Sequence, residues 1–142
     1  VLAETERVVG GSVAIHFFSR PFNWTPSNLN IFCPPSPIGR TFPDPLAIIL
    51  YFLINHEGYK THFIPHSPQF LDNSATNVGV LHRIPLLRPS DGKNVYVHIA
   101  ARACGALMPI IASWSTLSVN YLSVDVVACA YPEYTLASSA CL

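Results

Sequence analysis

The chain has 142 residues with eight basic and eight acidic side chains, so its net charge is zero; half of the residues are hydrophobic and only 11% are charged. That length suits one domain with a real core, and the apolar balance excludes an intrinsically disordered chain. Arg and Lys are scattered, so there is no basic stripe and no strong nucleic-acid signal. The longest apolar run, Leu46 to Ile54, falls short of the about 20 residues a membrane-spanning helix needs, so no membrane span is expected.

In chain order, Leu2 to Val9 reads as a short helix leading to Gly10-Gly11-Ser12, a glycine turn. Ser12 is a reasonable cap for a helix to Phe18. Pro21 to Pro26 breaks that helix. Asn23-Trp24-Thr25 fits the N-glycosylation pattern, but Pro26 follows it and no secretion is evident, so it is expected to stay unmodified. Ser27 to Phe32 then reads as a buried strand in which Asn28 and Asn30 alternate with Leu29 and Ile31.

Cys33 to Pro43 is a stiff proline-rich loop. Asp44-Pro45 opens the strongest helix of the chain, which runs to His56 before Gly58 and, being apolar on nearly every side, is expected to be sandwiched against a sheet. Tyr59 to Ile64 reads as a strand and Pro65 to Asn77 as a polar loop. Val78 to Leu87 and Asn94 to Ala100 read as antiparallel strands joined by a turn at Asp91-Gly92. Pro85 marks an edge or a bulge in the first of them. Leu107 to Trp114 suggests a helix with Pro109 in its first turn, Leu117 to Leu122 is open between strand and helix, Asp125 to Tyr131 reads as a short helix, and Ala137 to Leu142 as a frayed tail. There is no internal repeat. The pattern gives an α/β (or α+β) single domain, a mixed sheet flanked by helices.

Cys33, Cys104, Cys129 and Cys141 lie far apart with no Cys-x-x-Cys pair, which favours free thiols over zinc or a disulfide framework. His62 and His66 have i, i+4 spacing, but Pro65 denies them a shared helical face for a metal. His16 reads as a packed or surface residue. No nucleophile elbow is present, and Trp24 and Trp114 are too isolated for a base-stacking platform. The chain starts at Val1 without Met, which leaves room for a removed upstream piece, so no signal peptide is inferred; the location is left open, with an intracellular one favoured.

The chemistry concentrates between Gly10 and Cys33. Gly11 and Ser12 sit at a helix start, where free N–H groups favour an anion. The facing strand offers two oxygen-bearing side chains, Asn28 and Asn30. This stretch resembles the signature of the nucleotidyltransferase superfamily with the DNA polymerase beta type of palm: an apolar residue, Gly, Gly or Ser, about a dozen residues, then Asp-x-Asp on a strand. Gly11-Ser12 matches the first half, and Asn28-Leu29-Asn30 stands at the second after fifteen intervening residues. A second patch, from Leu107-Met108-Pro109-Ile110 through Ser115-Thr116-Leu117 to Ala130-Tyr131-Pro132-Glu133-Tyr134-Thr135-Leu136, resembles a basidiomycete fungal branch of these small proteins.

The resemblance implies a minimal nucleotidyltransferase-like sheet in which three carboxylates would hold two divalent cations. Here amides stand at Asn28 and Asn30, and the third position, in Tyr96-Val97-His98-Ile99, has no carboxylate either. Hard cations prefer anionic oxygen, so the expectation is no metal and a catalytically degenerate protein acting as a binding or regulatory module. Gly11 and Ser12 are the place to look for nucleotide or phosphate. The structural alternatives are an inherited glycine turn and asparagines that satisfy each other and nearby backbone. His98, if it faces Asn28 and Asn30, is a candidate acid or base near neutral pH. Two competing readings are an active magnesium-dependent nucleotidyltransferase using a nucleoside triphosphate, which requires aspartates at 28 and 30, and a fungal defence protein acting on RNA or a glycan. The low charge also suggests self-association or a protein partner.

Overall fold

Alternation along Asn28–Cys33 decides the layout of the molecule. Leu29, Ile31 and Cys33 face one side and enter the main core, whereas Asn28, Asn30 and Phe32 face the other. The computed structural model describes residues 7–18, 24–35, 44–62, 79–101, 105–112, 115 and 118–137. Among these the elements are β1 (Val8–Gly10), α1 (Ser12–Phe18), β2 (Asn28–Cys33), α2 (Pro45–Asn55), β3 (Lys60–Thr61), β4 (Val80–Arg88), β5 (Lys93–Ala100), α3 (Met108–Ile111), β6 (Asn120–Leu122), β7 (Val127–Cys129) and α4 (Pro132–Leu136). The described strands form one mixed sheet in the order β3-β4-β5-β2-β1-β6-β7, so the protein is α/β with a seven-stranded sheet and four helices among the described residues. The β2–β5 ladder is parallel and every other described ladder is antiparallel.

The main core lies between the sheet and α2. Ile49 and Leu53 of α2 meet Ile31, Val95 and Val97 of the central strands, with Val13 of α1 packed at the margin. Fully burying each of these aliphatic side chains contributes about 1.5–3 kcal/mol before entropy is counted. A smaller cluster on the opposite face joins Val8, Ala106 and Ile110, with Phe32 packed against it.

Local chemistry sets the boundaries. Asp44 Oδ1 accepts from Leu46 N at 2.9 Å and Pro45 takes the first position of α2, the cap expected from Asp-Pro. The helix is not sandwiched, however. Ile49 and Leu53 are buried, but Tyr51 is 63% exposed and Ile54 is also exposed, so one side of an apolar helix stays open. The β4–β5 turn forms as its Asp-Gly step dictates: Gly92 takes φ +68°, and Asp91 accepts from Lys93 N and from both Nε and Nη2 of Arg88.

Three further sequence expectations are corrected. The Leu2 to Val9 helix fails where it is described, because Val8 and Val9 belong to β1, drawn into the sheet between β2 and β6; ladder pairing outweighs local preference for two β-branched residues. Asp125 to Tyr131 is not a helix: Val127–Cys129 is β7, returned by a turn in which Ser123 N donates to Val126 O at 2.8 Å and Val126 N donates to Ser123 Oγ at 2.9 Å. A helix does follow, α4, with Pro132 at its start. Pro85 is neither on an edge strand nor at the bulge, which lies between Val80 and His82. Its carbonyl accepts from His62 N at 3.0 Å, so its nitrogen also faces β3, where the described part of that short strand has ended.

Of the open segment Leu117 to Leu122, Asn120–Leu122 is strand β6. The described part of the Leu107 to Trp114 helix is α3, Met108–Ile111. Asn23, most of the proline-rich loop, the Pro65 to Asn77 loop, His66, Cys104, Trp114, Cys141 and nearly all of the tail lie outside the described residues. Cys33 and Cys129 are free thiols, the first buried.

Candidate functional site

Two adjacent parallel strands and one tight turn bring Gly11, Ser12, Asn28, Asn30 and His98 together. In the β2–β5 ladder Asn30 lies opposite Tyr96 and Phe32 opposite His98, so Asn30 and His98 share a face and meet diagonally. His98 Nε2 lies 2.9 Å from Asn30 Oδ1. An amide oxygen only accepts, so Nε2 carries the proton and Nδ1 is left with a bare lone pair. Nδ1 is buried and has no hydrogen-bond partner among the described residues. The imidazole stacks on Phe32 at 4.6 Å between centroids and 14° between planes.

Asn28 is engaged from the other side. The Ser12 hydroxyl reaches its Oδ1 at 3.3 Å and its carbonyl oxygen at 3.4 Å, one donor shared between two acceptors of the same residue. Ser12 therefore ties the start of α1 to the first residue of β2. Gly11 has φ +69°, and a Cβ there would stand 2.9 Å from Asn30 Nδ2. The turn thus requires glycine twice, for its backbone angle and for the closeness of the Asn30 amide.

The electrostatics follow from burial. His98 is held down from 6.5 to about 4, first by desolvation and then by the positive charge of Arg83. Arg83 lies opposite His98 in the β4–β5 ladder and places its guanidinium 3.8 Å from the centre of the Tyr96 ring. The imidazole is therefore neutral at neutral pH. Its location beside Asn30 is the one anticipated, but its proton affinity is too low for the acid or base work near pH 7 envisaged from the sequence.

A divalent-ion pair does not fit this donor set. The two amides and the imidazole are neutral, Asn30 Oδ1 already accepts from His98, and Asn28 Oδ1 already accepts from Ser12. Among the described residues no three His, Cys, Asp or Glu side chains are grouped to hold a metal. His62 is an exposed residue just after β3, and His16 is half-buried with its ring edge against Trp24 at 5.1 Å; neither reaches the site's hydrogen bonds.

Three residues that shape the site, Phe32, Arg83 and Tyr96, are given no part in it by the sequence reading. Strand alternation alone puts Phe32 beside Asn30, and the Asp91-Gly92 hairpin could have paired Arg83 with His98 once its register was counted. A second feature had no sequence signal. Arg7 is almost completely buried beside β1, its Nε donating to Cys33 Sγ at 3.0 Å, while Nη1 and Nη2 have no partner among the described residues. Burial lowers its proton affinity and raises that of the Cys33 thiol.

No family model matches the chain, and no curated protein or solved structure matches it. No helix among the described residues is long and apolar enough to cross a membrane.

Proposed function

We propose that this protein is a nucleotidyltransferase-like scaffold whose metal-binding positions have been neutralised, and that it works as a binding or regulatory module rather than as a transferase. The observation that carries this reading is the 2.9 Å contact between His98 Nε2 and Asn30 Oδ1. The resemblance puts carboxylates at 28, 30 and the position of His98; side chains at all three lie on one face of neighbouring strands, but they are uncharged and bonded to their surroundings. Three carboxylates so placed would repel unless cations lay between them. Two amides and an imidazole are stable there without a metal.

Ligand contact in this reading runs along Gly11 and Ser12. With α1 only seven residues long, its dipole is a minor contribution, and a bound phosphate takes the Ser12 hydroxyl over from Asn28 and meets the first free backbone N–H groups of the helix. The ligand is a nucleotide or an inorganic phosphate. The fungal affiliation suggested by the second sequence patch belongs to the same proposal.

Calorimetric titration with ATP, GTP and inorganic phosphate, each with and without magnesium, tests it. The expected result is binding that does not need the metal, weakens in Ser12→Ala and is accompanied by no turnover. Magnesium-dependent release of pyrophosphate would overturn the pseudoenzyme reading; absence of binding to all three probes would remove the ligand assignment.

A further inference from the structure

Among the described residues the sheet ends at β7, and the hairpin that leads there fixes which backbone groups point outward. Ala130 N donates to Val119 O at 3.3 Å and Ser123 N to Val126 O at 2.8 Å, on either side of the facing pair Tyr121 and Ala128. The hydrogen-bonded positions of the outer strand are therefore 126, 128 and 130. In an antiparallel ladder the residues between these turn their N–H and C=O away from the partner strand. Val127 and Cys129 do so, and their outward groups have no partner among the described residues.

The segment around this edge is apolar and open. Val124, Val126, Val127, Tyr131, Tyr134 and Leu136 are between 39% and 65% exposed. Exposed apolar side chains beside an unpaired strand edge are what an interaction surface offers. The display is held in place: Asn120 Nδ2 donates to Thr135 Oγ1 at 3.2 Å, with both residues buried, so α4 is tied to β6. Only Asp125 and Glu133 carry charge between residues 118 and 137, so little ionic desolvation opposes covering the edge.

We propose that β7 pairs with β7 of a second copy of this chain, antiparallel about a two-fold axis, so that one sheet continues through both molecules. The strand is self-complementary in a single register. With Ala128 on the axis, Val127 faces the second copy's Cys129 and Cys129 faces its Val127, which uses all four outward groups of each three-residue edge. Shifting the register by one residue either way leaves one of the two positions facing a residue outside β7. The exposed apolar side chains that flank the strand add contact area to its backbone hydrogen bonds. This pairing uses none of the residues of the Asn30–His98 site, so it stands or falls independently of the ligand assignment.

Sedimentation or light scattering of the whole chain across the micromolar range tests it, and the expected result is a mass that rises to twice that of one chain. Val127→Lys places a charge on an exposed edge position and is expected to weaken association by about tenfold or more while leaving the thermal melt of the domain unchanged. Tyr51→Lys, on the open side of α2, is the control and leaves association as it was. Facing residues at a non-hydrogen-bonded position have Cα atoms about 4.5 Å apart, within reach of a disulfide. Ala128→Cys in a Cys129→Ser background is therefore expected to give a covalent dimer on mild oxidation. A chain that stays monomeric throughout would overturn the proposal, as would a dimer indifferent to Val127→Lys or one that loses association in Tyr51→Lys.

Discussion

His98 donates through Nε2 to Asn30 Oδ1 across two parallel strands whose residues lie 68 positions apart in the chain. The bond fixes the histidine tautomer, leaves Nδ1 without a donor, and joins the two strands on the side away from the main core.

That burial makes stability depend on pH in a definite direction. The folded imidazole binds its proton only near pH 4, whereas the unfolded one does so near 6.5. Between these values the unfolded chain holds more protons, so stability rises with pH and is lost as pH falls from about 6.5 toward 4; the full effect is about 3 kcal/mol. Urea melts at pH 7 and pH 4.5 are expected to differ by most of that amount, and His98→Asn is expected to flatten the difference. An equally steep pH dependence in the variant would show that another group is responsible.

Restoring the carboxylates tests the scaffold itself. The triple variant Asn28→Asp, Asn30→Asp, His98→Asp is expected to melt below the parent in a chelator, because three anions then share one face. Magnesium or manganese at about a hundred times the dissociation constant should recover about 3 kcal/mol. A folded variant with no response to either ion would argue that the three positions do not converge as a palm-like centre.

Gly11 and Gly92 form a matched pair. Both have positive φ, +69° and +68°, but a Cβ at Gly11 meets the Asn30 amide at 2.9 Å and one at Gly92 meets nothing within 4 Å. Gly92→Ala should cost about 1 kcal/mol for the backbone conformation alone. Gly11→Ala should cost about 1–2 kcal/mol more, since Asn30 must move off His98 to make room. Equal losses at the two positions, measured by chemical denaturation, would show that the turn is not in close contact with β2.

Arg7 offers the opposite sign. Among the described residues the buried guanidinium makes one hydrogen bond, to a thiol, and leaves Nη1 and Nη2 without an acceptor, which favours a net cost over a gain. Arg7→Met nearly keeps the length and volume of the side chain and removes the buried charge, and is expected to stabilise the protein by about 1–3 kcal/mol. A marked loss of stability instead would mean that the guanidinium meets an acceptor in solution.

How far the chain could be read in advance depended on whether the deciding signal was local. Asp44-Pro45 and Asp91-Gly92 carry their own chemistry, a cap and a turn, and both elements fall where those residues place them. The polar-apolar alternation at Asn28 to Ile31 likewise put both asparagines on one face. β1 was not legible, since a three-residue strand owes its existence to ladders with β2 and β6, both well removed in sequence, and β7 is too short to show a pattern of its own. Val124 to Cys129 is apolar without a clear period, so strand and helix were indistinguishable until β6 supplied a pairing edge. At the site, the identity of the groups was readable but not their environment: Phe32 and Arg83, which make His98 neutral, reach it only through the registers of two different ladders.

The parallel ladder has a consequence for how the molecule comes together. Asn28 pairs with Asn94, Ile31 with Val97 and Cys33 with Ile99, each 66 residues apart, whereas the β4–β5 and β6–β7 hairpins close over a few residues. Chain entropy favours the short closures, so the hairpins form early and docking of β2 onto β5 comes late. On a ribosome, β2 emerges long before its parallel neighbour exists, with the Asn28 and Asn30 amides on one side and Leu29 and Ile31 uncovered on the other. The nascent chain must therefore be kept from wrong partners over that interval, and a fragment cut short of β5 should stick to others like itself rather than persist as a partial domain.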